Sequence, residues 1–231
     1  MIELVVFDAD GVLFDSYEAN IAYYNAIFEQ VGEPPLNAQE QLASISMATV
    51  QLFTHRARGN QALIARMNEV GSALNPAPFL ELLRPPFVMR PFMLRLKERY
   101  KLGLATNRSA TLPALVRHLD LADIFDAIAC AADRDVRPKP AADILELCMR
   151  RAETTATRSV YVGDSQIDQE AAEAARMHFI GVGGRLKAPR QITDLFELPA
   201  RLNDWFDARE PAKVVTTPRL ADRGRRRRGS G

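Results

Sequence analysis

The stretch Leu4-Val5-Val6-Phe7-Asp8-Ala9-Asp10-Gly11 decides the fold of this 231-residue chain. Apolar side chains on both faces read as a strand buried on both sides, as in a parallel sheet. The run stops at two carboxylates and a glycine. Ligands of open α/β sheets bind outside the carboxyl ends of the strands. Asp8 and Asp10 are therefore expected to face a site, with Gly11 turning the chain away. Close carboxylates repel unless a cation neutralises them or one holds a proton. The pair thus suits either a hard metal ion or an acid/base partner beside a nucleophile.

Working outward, strand one is expected over residues 4–10. From Ser16 the pattern turns helical, over Tyr17–Val31, Ala38–Phe53 and Ala62–Leu74. Breaks fall at Gly32-Glu33-Pro34-Pro35, Gly59-Asn60 and Asn75-Pro76-Ala77-Pro78. The helical block ends near Arg84-Pro85-Pro86, and alternation of strand and helix resumes. Strands are expected at 101–107, 127–131, 159–164 and 179–182. Helices are expected at 110–119, 141–152 and 168–177, with a C-terminal helix over Ile192–Phe206. Such alternation implies a doubly wound parallel sheet with right-handed crossovers. Polar residues end three strands: Asp8/Asp10, Thr106/Asn107 and Asp164. They should meet at one sheet edge, as a catalytic site requires.

The composition is that of a globular protein, 47% hydrophobic, with no apolar run near the roughly 20 residues that span a membrane. No secretory leader is evident, and Cys130 and Cys148 lack metal or disulfide spacing. A reducing, cytoplasmic setting is expected. The net charge of +1 hides an asymmetry. Residues 219–231 hold six arginines and one acid, and the remainder carries 24 basic and 28 acidic residues. The arginine-rich tail over 209–231 reads as disordered, and nucleic acid is a partner only through it.

Four segments carry a resemblance: Asp8-Ala9-Asp10-Gly11-Val12-Leu13-Phe14-Asp15-Ser16, Thr106-Asn107-Arg108, Arg137-Pro138-Lys139-Pro140, and Gly163-Asp164-Ser165-Gln166-Ile167-Asp168. In this order the chain resembles the haloacid dehalogenase superfamily, in the branch of phosphoglycolate phosphatases and β-phosphoglucomutases. The resemblance implies a Rossmann-like core over 1–15 and 87–208, with a helical cap over 16–86. It implies Asp8 as nucleophile and Asp10 as general acid and base. It implies Mg²⁺ held by Asp8, the Asp10 carbonyl and Asp164, with Asp168 holding metal-bound waters or orienting Lys139. Thr106 and Asn107 would donate to phosphate, and Lys139 would set a cation beside the nucleophile.

The implied activity is Mg²⁺-dependent hydrolysis of a small phosphorylated metabolite, phosphoglycolate or a sugar phosphate, by a monomer or homodimer. A phosphomutase is the alternative on the same core, and a non-catalytic binding module with a nucleic-acid-binding tail is another. Residues 16–86 contain no lysine, which disfavours the imine chemistry of phosphonate-cleaving relatives. The lid is expected to set substrate choice through Ser44, Ser46, Thr49, His55, Arg56 and Arg58. Arg56 and Arg58 are the candidates for a substrate carboxylate or second phosphate.

Overall fold

The computed structural model describes residues 1–44, 47–108, 111–184 and 186–207. Its centre is a six-stranded, all-parallel sheet of order β3-β2-β1-β4-β5-β6. The strands are β1 (Leu4–Phe7), β2 (Lys101–Thr106), β3 (Ala127–Cys130), β4 (Ser159–Gly163), β5 (His178–Val182) and β6 (Gln191–Ile192). β1 is fully buried, and its side chains alternate between two cores. Val5 and Phe7 face one apolar cluster with Leu102, Leu104, Val160 and Val162. Leu4 and Val6 face another with Ala105, Tyr161, Ile144 and Cys148. This two-sided burial is why β1 shows no polar alternation. The strand order reverses at β1, between β2 and β4, where ligands of doubly wound sheets bind.

Helices cover both faces of the sheet: α6 (Met89–Lys97), α7 (Leu112–His118), α8 (Asp143–Arg151) and α9 (Gln166–Ala174). α8 lies so close to β2 that a Cβ at Gly103 would stand 2.8 Å from Cys148 Sγ. Between β1 and α6 the chain makes α1 (Tyr17–Val31), α2 (Ala38–Ala43), α3 (Thr49–Ala57), α4 (Gln61–Ala73) and α5 (Ala77–Leu80). α1, α3 and α4 share a core of Tyr24, Ile27, Phe28, Leu52, Phe53, Met67 and Val70 with Leu36, while Leu80 of α5 joins the core on the sheet. The two connections to this helical block are tied together. Asp15 N–H donates to Arg84 C=O (2.9 Å), and Arg84 N–H donates to Asp15 C=O (3.0 Å).

Three sequence expectations change here. The single helix over Ala38–Phe53 is two. Asn37 and Glu40 build a capping box that starts α2, Ser44 Oγ turns back to Gln41 C=O at its end, and Ala48 is extended before α3. Strand one ends at Phe7, because residues 10–14 form a tight turn in which Gly11 N–H donates to Phe14 C=O. The C-terminal helix is β6, a 3₁₀ turn at Leu195–Glu197 capped by Asp194, α10 (Leu198–Leu202) and a π turn at Asn203–Asp207. Trp205 still packs against the core. Ser46, Ala110 at the start of the expected 110–119 helix, and the tail over 209–231 lie outside the described residues. Among those described, no helix is long and apolar enough to cross a membrane.

Candidate active site

A cavity of about 520 Å³ opens at the carboxyl edge of the sheet. Strand ends and the turns after them supply its floor: Asp8, Asp10, Thr106, Asn107, Arg108, Lys139, Asp164 and Asp168. Helical-block residues supply its roof, among them Asn20, Tyr23, Tyr24, Ser44 and Thr49. Four segments far apart in sequence therefore meet at one place. Asp8, Asp10, Thr106, Asn107, Lys139 and Asp168 are all buried.

Lys139 organises the floor. Its Nζ stands 2.8 Å from Asp8 Oδ1 and 2.6 Å from Asp168 Oδ1, and it donates to Tyr161 Oη at 2.8 Å. The lysine loop is clasped by Asn107. Lys139 N–H donates to Asn107 Oδ1 (2.8 Å) and Asn107 Nδ2 donates to Lys139 C=O (3.2 Å). The Lys139–Pro140 peptide is cis. Asp168 is the N3 residue of α9, where Ser165 caps the helix. Ser165 Oγ donates to Asp168 Oδ2 at 2.6 Å, with the N–H groups of Ser165 and Asp164 at 3.2 and 3.3 Å. Both Asp168 oxygens are thus engaged by donors, and of the two roles expected for it the geometry exhibits the orientation of Lys139. Tyr161, in an otherwise aliphatic strand end, lies 2.9 Å from Asp168 Oδ1 and 3.1 Å from Ala105 C=O. Sequence reasoning gave Tyr161 no role; a lone tyrosine among valines was its signal.

Electrostatics follow from this packing. Burial pushes the Asp8 carboxyl well above the ordinary aspartate range, opposed by Lys139 and reinforced by Asp168 and Asp10. Burial works in the same sense on Asp168, but Lys139 outweighs it and holds that carboxyl low. Burial would lower the Lys139 ammonium, yet Asp168 and Asp8 hold it above the usual lysine value. One ammonium, that of Lys139, thus faces two buried carboxylates, Asp8 and Asp168.

That excess suits a hard divalent cation. Asp8, Asp164 and Asp168 bring carboxylate oxygens within 4.8 Å of one another. Asp8 Oδ1 is buried with acceptor capacity left over. The turn after Asp10 is shaped around Asp164, since a Cβ on Gly11 (φ +79°) would lie 2.1 Å from Asp164 Oδ2. An all-oxygen set of few carboxylates at the floor of an open cavity fits Mg²⁺.

The lid assignments divide. Ser44 and Thr49 line the cavity, and Tyr24 Oη lies 3.1 Å from Thr49 Oγ1. Arg56 and Arg58 do not line it, which corrects the expectation that they meet the substrate. Arg56 turns inward over the Phe28 ring, pairs with Glu40 at 2.7 Å and lies 4.0 Å from Glu33. Arg58 ends α3 in the left-handed conformation. With His55 these arginines border a separate cavity of about 450 Å³ on the far side of α3. The charge count of a helix does not say which way its last turn points.

The residue missed among the motif positions is Arg108. Its Nε donates to Asp10 Oδ2 (2.8 Å) and its Nη2 to Asp10 Oδ1 (2.6 Å). Burial works against the guanidinium charge, and Asp10 more than restores it, holding Arg108 above its ordinary value.

Comparison with known proteins agrees with this geometry. The family model described as haloacid dehalogenase-like hydrolase matches residues 5–182, and the chain belongs to that family. The fructose-1-phosphate phosphatase YqaB of Escherichia coli is 23% identical over 77% of this chain and 95% of its own length. The β-phosphoglucomutase of Bacillus subtilis is 26% identical over 83% of this chain and 90% of its own. A solved subfamily IA hydrolase of this superfamily from Geobacter sulfurreducens is 28% identical with a TM-score of 0.67, covering 87% of this chain and 96% of that one. The parallel core and the enzyme class expected from the four motifs are thereby established.

Proposed function

We propose that this hydrolase is a Mg²⁺-dependent phosphatase of small phosphomonoesters, a sugar phosphate or phosphoglycolate, that works through an aspartyl-phosphate on Asp8. The observation that carries this reading is the Asp8 carboxylate, buried against Lys139 at 2.8 Å beside a second carboxylate, Asp10, at the floor of one cavity. A pure binding site needs neither carboxylate. The relatives named for a sugar-phosphate phosphatase and a phosphomutase support the substrate class.

In this mechanism an Asp8 oxygen attacks phosphorus as the ester P–O bond breaks, and Asp10 gives its proton to the departing alkoxide. Water then attacks the aspartyl-phosphate, Asp10 takes up its proton, and inorganic phosphate leaves. Lys139 and the Thr106 and Asn107 donors meet charge on the phosphoryl oxygens. Asp8, Asp164 and the Asp10 carbonyl would hold Mg²⁺, which supplies charge neutralisation between nucleophile and phosphate. The helical block over 16–86 acts as the lid, excluding water from the first step. Placement in the cytoplasm and action as a monomer or homodimer belong to the same proposal.

The test is phosphate release from a panel of phosphomonoesters with Mg²⁺. Asp8→Asn, nearly isosteric, should abolish release while leaving the fold intact. EDTA should remove activity and Mg²⁺ restore it. Turnover by clean Asp8→Asn protein, or full activity in metal-free buffer, would defeat the proposal.

A further inference from the structure

Tyr161 is fully buried and does not line the cavity, yet its hydroxyl meets three groups of the floor. It accepts from Lys139 Nζ at 2.8 Å. Its single proton faces Asp168 Oδ1 at 2.9 Å and Ala105 C=O at 3.1 Å. A phenylalanine would fill the same place in β4 against Phe179, so the ring serves packing and the hydroxyl serves the cluster.

Lys139 needs such a partner. Its ammonium is a compact charge with three donors on a flexible four-carbon stem. It rises from the connection between β3 and α8, not from the strand that leads to Asp8. Two carboxylates draw on it, Asp168 Oδ1 at 2.6 Å and Asp8 Oδ1 at 2.8 Å. When Asp8 becomes an aspartyl-phosphate, its charge passes outward to the phosphoryl oxygens, and the near anion that remains is Asp168. The ammonium is then pulled to one side. Tyr161 opposes that drift because it belongs to the same sheet as the nucleophile. It stands opposite Val6 in the β1–β4 register, and Asp8 N–H donates to Val162 C=O at 2.9 Å. The Ala105 carbonyl that faces its hydroxyl is on β2, next to Thr106.

We propose that Tyr161 is a positioning residue: its hydroxyl seats the Lys139 ammonium between Asp8 and Asp168 and keeps it there through both phosphoryl-transfer steps. The inference rests on the phosphatase reading and adds a residue to its machinery. With Tyr161 as the third acceptor, the three donors of Lys139 have oxygens at 2.6, 2.8 and 2.8 Å. Those oxygens come from three separate places: the end of β1, the interior of β4 and the first turn of α9. A side chain locked by such supporting hydrogen bonds holds the geometry that a reacting group requires. The hydroxyl touches no part of the cavity, so its effect on the reaction passes through Lys139 and Asp168.

The test measures phosphate release from p-nitrophenyl phosphate and a hexose monophosphate, with Mg²⁺, in wild type, Tyr161→Phe and Phe179→Leu. Tyr161→Phe removes the hydroxyl and keeps the ring. Its kcat should fall about 10- to 100-fold on both esters, the worth of a hydrogen bond to a charged group, with KM little changed. Phe179→Leu disturbs the packing beside the Tyr161 ring, 6.2 Å away between centroids, and leaves the hydroxyl in place. It should lower Tm and leave kcat as it was. A wild-type kcat in Tyr161→Phe, or an equal fall in Phe179→Leu, would overturn the proposal. A double-mutant cycle in denaturant reads the seat without activity. In the Lys139→Met background the effect of Tyr161→Phe on the unfolding equilibrium constant should shrink about tenfold, because its partner is gone. Additive effects would overturn the seat, whatever the protein hydrolyses. Coupling in the cycle with no phosphate released by wild type counts against the phosphatase reading alone.

Discussion

Replacing Gly11 with alanine should separate stability from catalysis. The new methyl would lie 2.1 Å from Asp164 Oδ2 and 2.5 Å from its Cγ, at a backbone φ of +79°. The backbone strain is about 1–2 kcal/mol, or roughly 2–8 °C in Tm for a chain of this size. The steric conflict is with the end of a side chain and not with backbone, so it is relieved by displacing the Asp164 carboxylate rather than by unfolding. Restoring ordinary contact needs a shift of roughly 1 Å, and misplacement on that scale costs about a hundredfold in rate. Half-saturation by Mg²⁺ should rise about 10- to 100-fold, the usual effect of disturbing a ligand's support. Phosphate release titrated with Mg²⁺, beside a thermal melt of the same protein, measures both. A Gly11→Ala protein with wild-type Mg²⁺ dependence would refute the link between this turn and Asp164.

Two further outcomes are expected. Lys139→Met removes the ammonium between Asp8 and Asp168 while keeping an unbranched apolar stem one atom shorter, and leaves buried carboxylates unpaired; stability should fall by about 3–5 kcal/mol in denaturant titration without metal. A midpoint equal to wild type would show that the cluster relaxes without its cation. Arg56→Met strands the buried Glu40, so stability should drop by about 1–3 kcal/mol, while the ranking of substrates by kcat/KM stays as it was. A changed ranking would return Arg56 to substrate choice.

How far the sequence was legible follows from the range of the interactions involved. β1, β2 and β4 are readable because each is an apolar run that leads into a polar residue. α1 is read to the residue, since Gly32 ends it in the left-handed conformation. β6 is two residues long and has no periodicity to read, so Ile192 reads as the start of a helix. The break between α2 and α3 depends on Ser44 and Gln51 reaching the backbone, which an apolar count does not register. Asp8, Thr106 and Asp164 are legible because short polar motifs follow strand ends, and Lys139 because of its Arg-Pro-Lys-Pro loop. The Arg108 to Asp10 clamp spans 98 positions, and the inward turn of Arg56 depends on Glu40. Neither has a local pattern, and only the packed structure reveals which carboxylate each arginine meets.

The neck at Asp15 and Arg84 has a consequence for how this molecule can be altered. Because the outgoing and returning chains are joined by two backbone hydrogen bonds, the helical block leaves and re-enters the core at what amounts to a single rung. Side-chain contacts such as Arg108 to Asn20 and the packing of Leu80 and Leu83 into the sheet's core join the two parts as well, so an exchanged insert must keep its ends side by side and replace those contacts. The roof of the site can then be exchanged for a different bundle, or shortened, while the sheet and the residues at its edge keep their register. The roof of the cavity and its carboxylate floor thus lie on parts of the chain that can be altered separately.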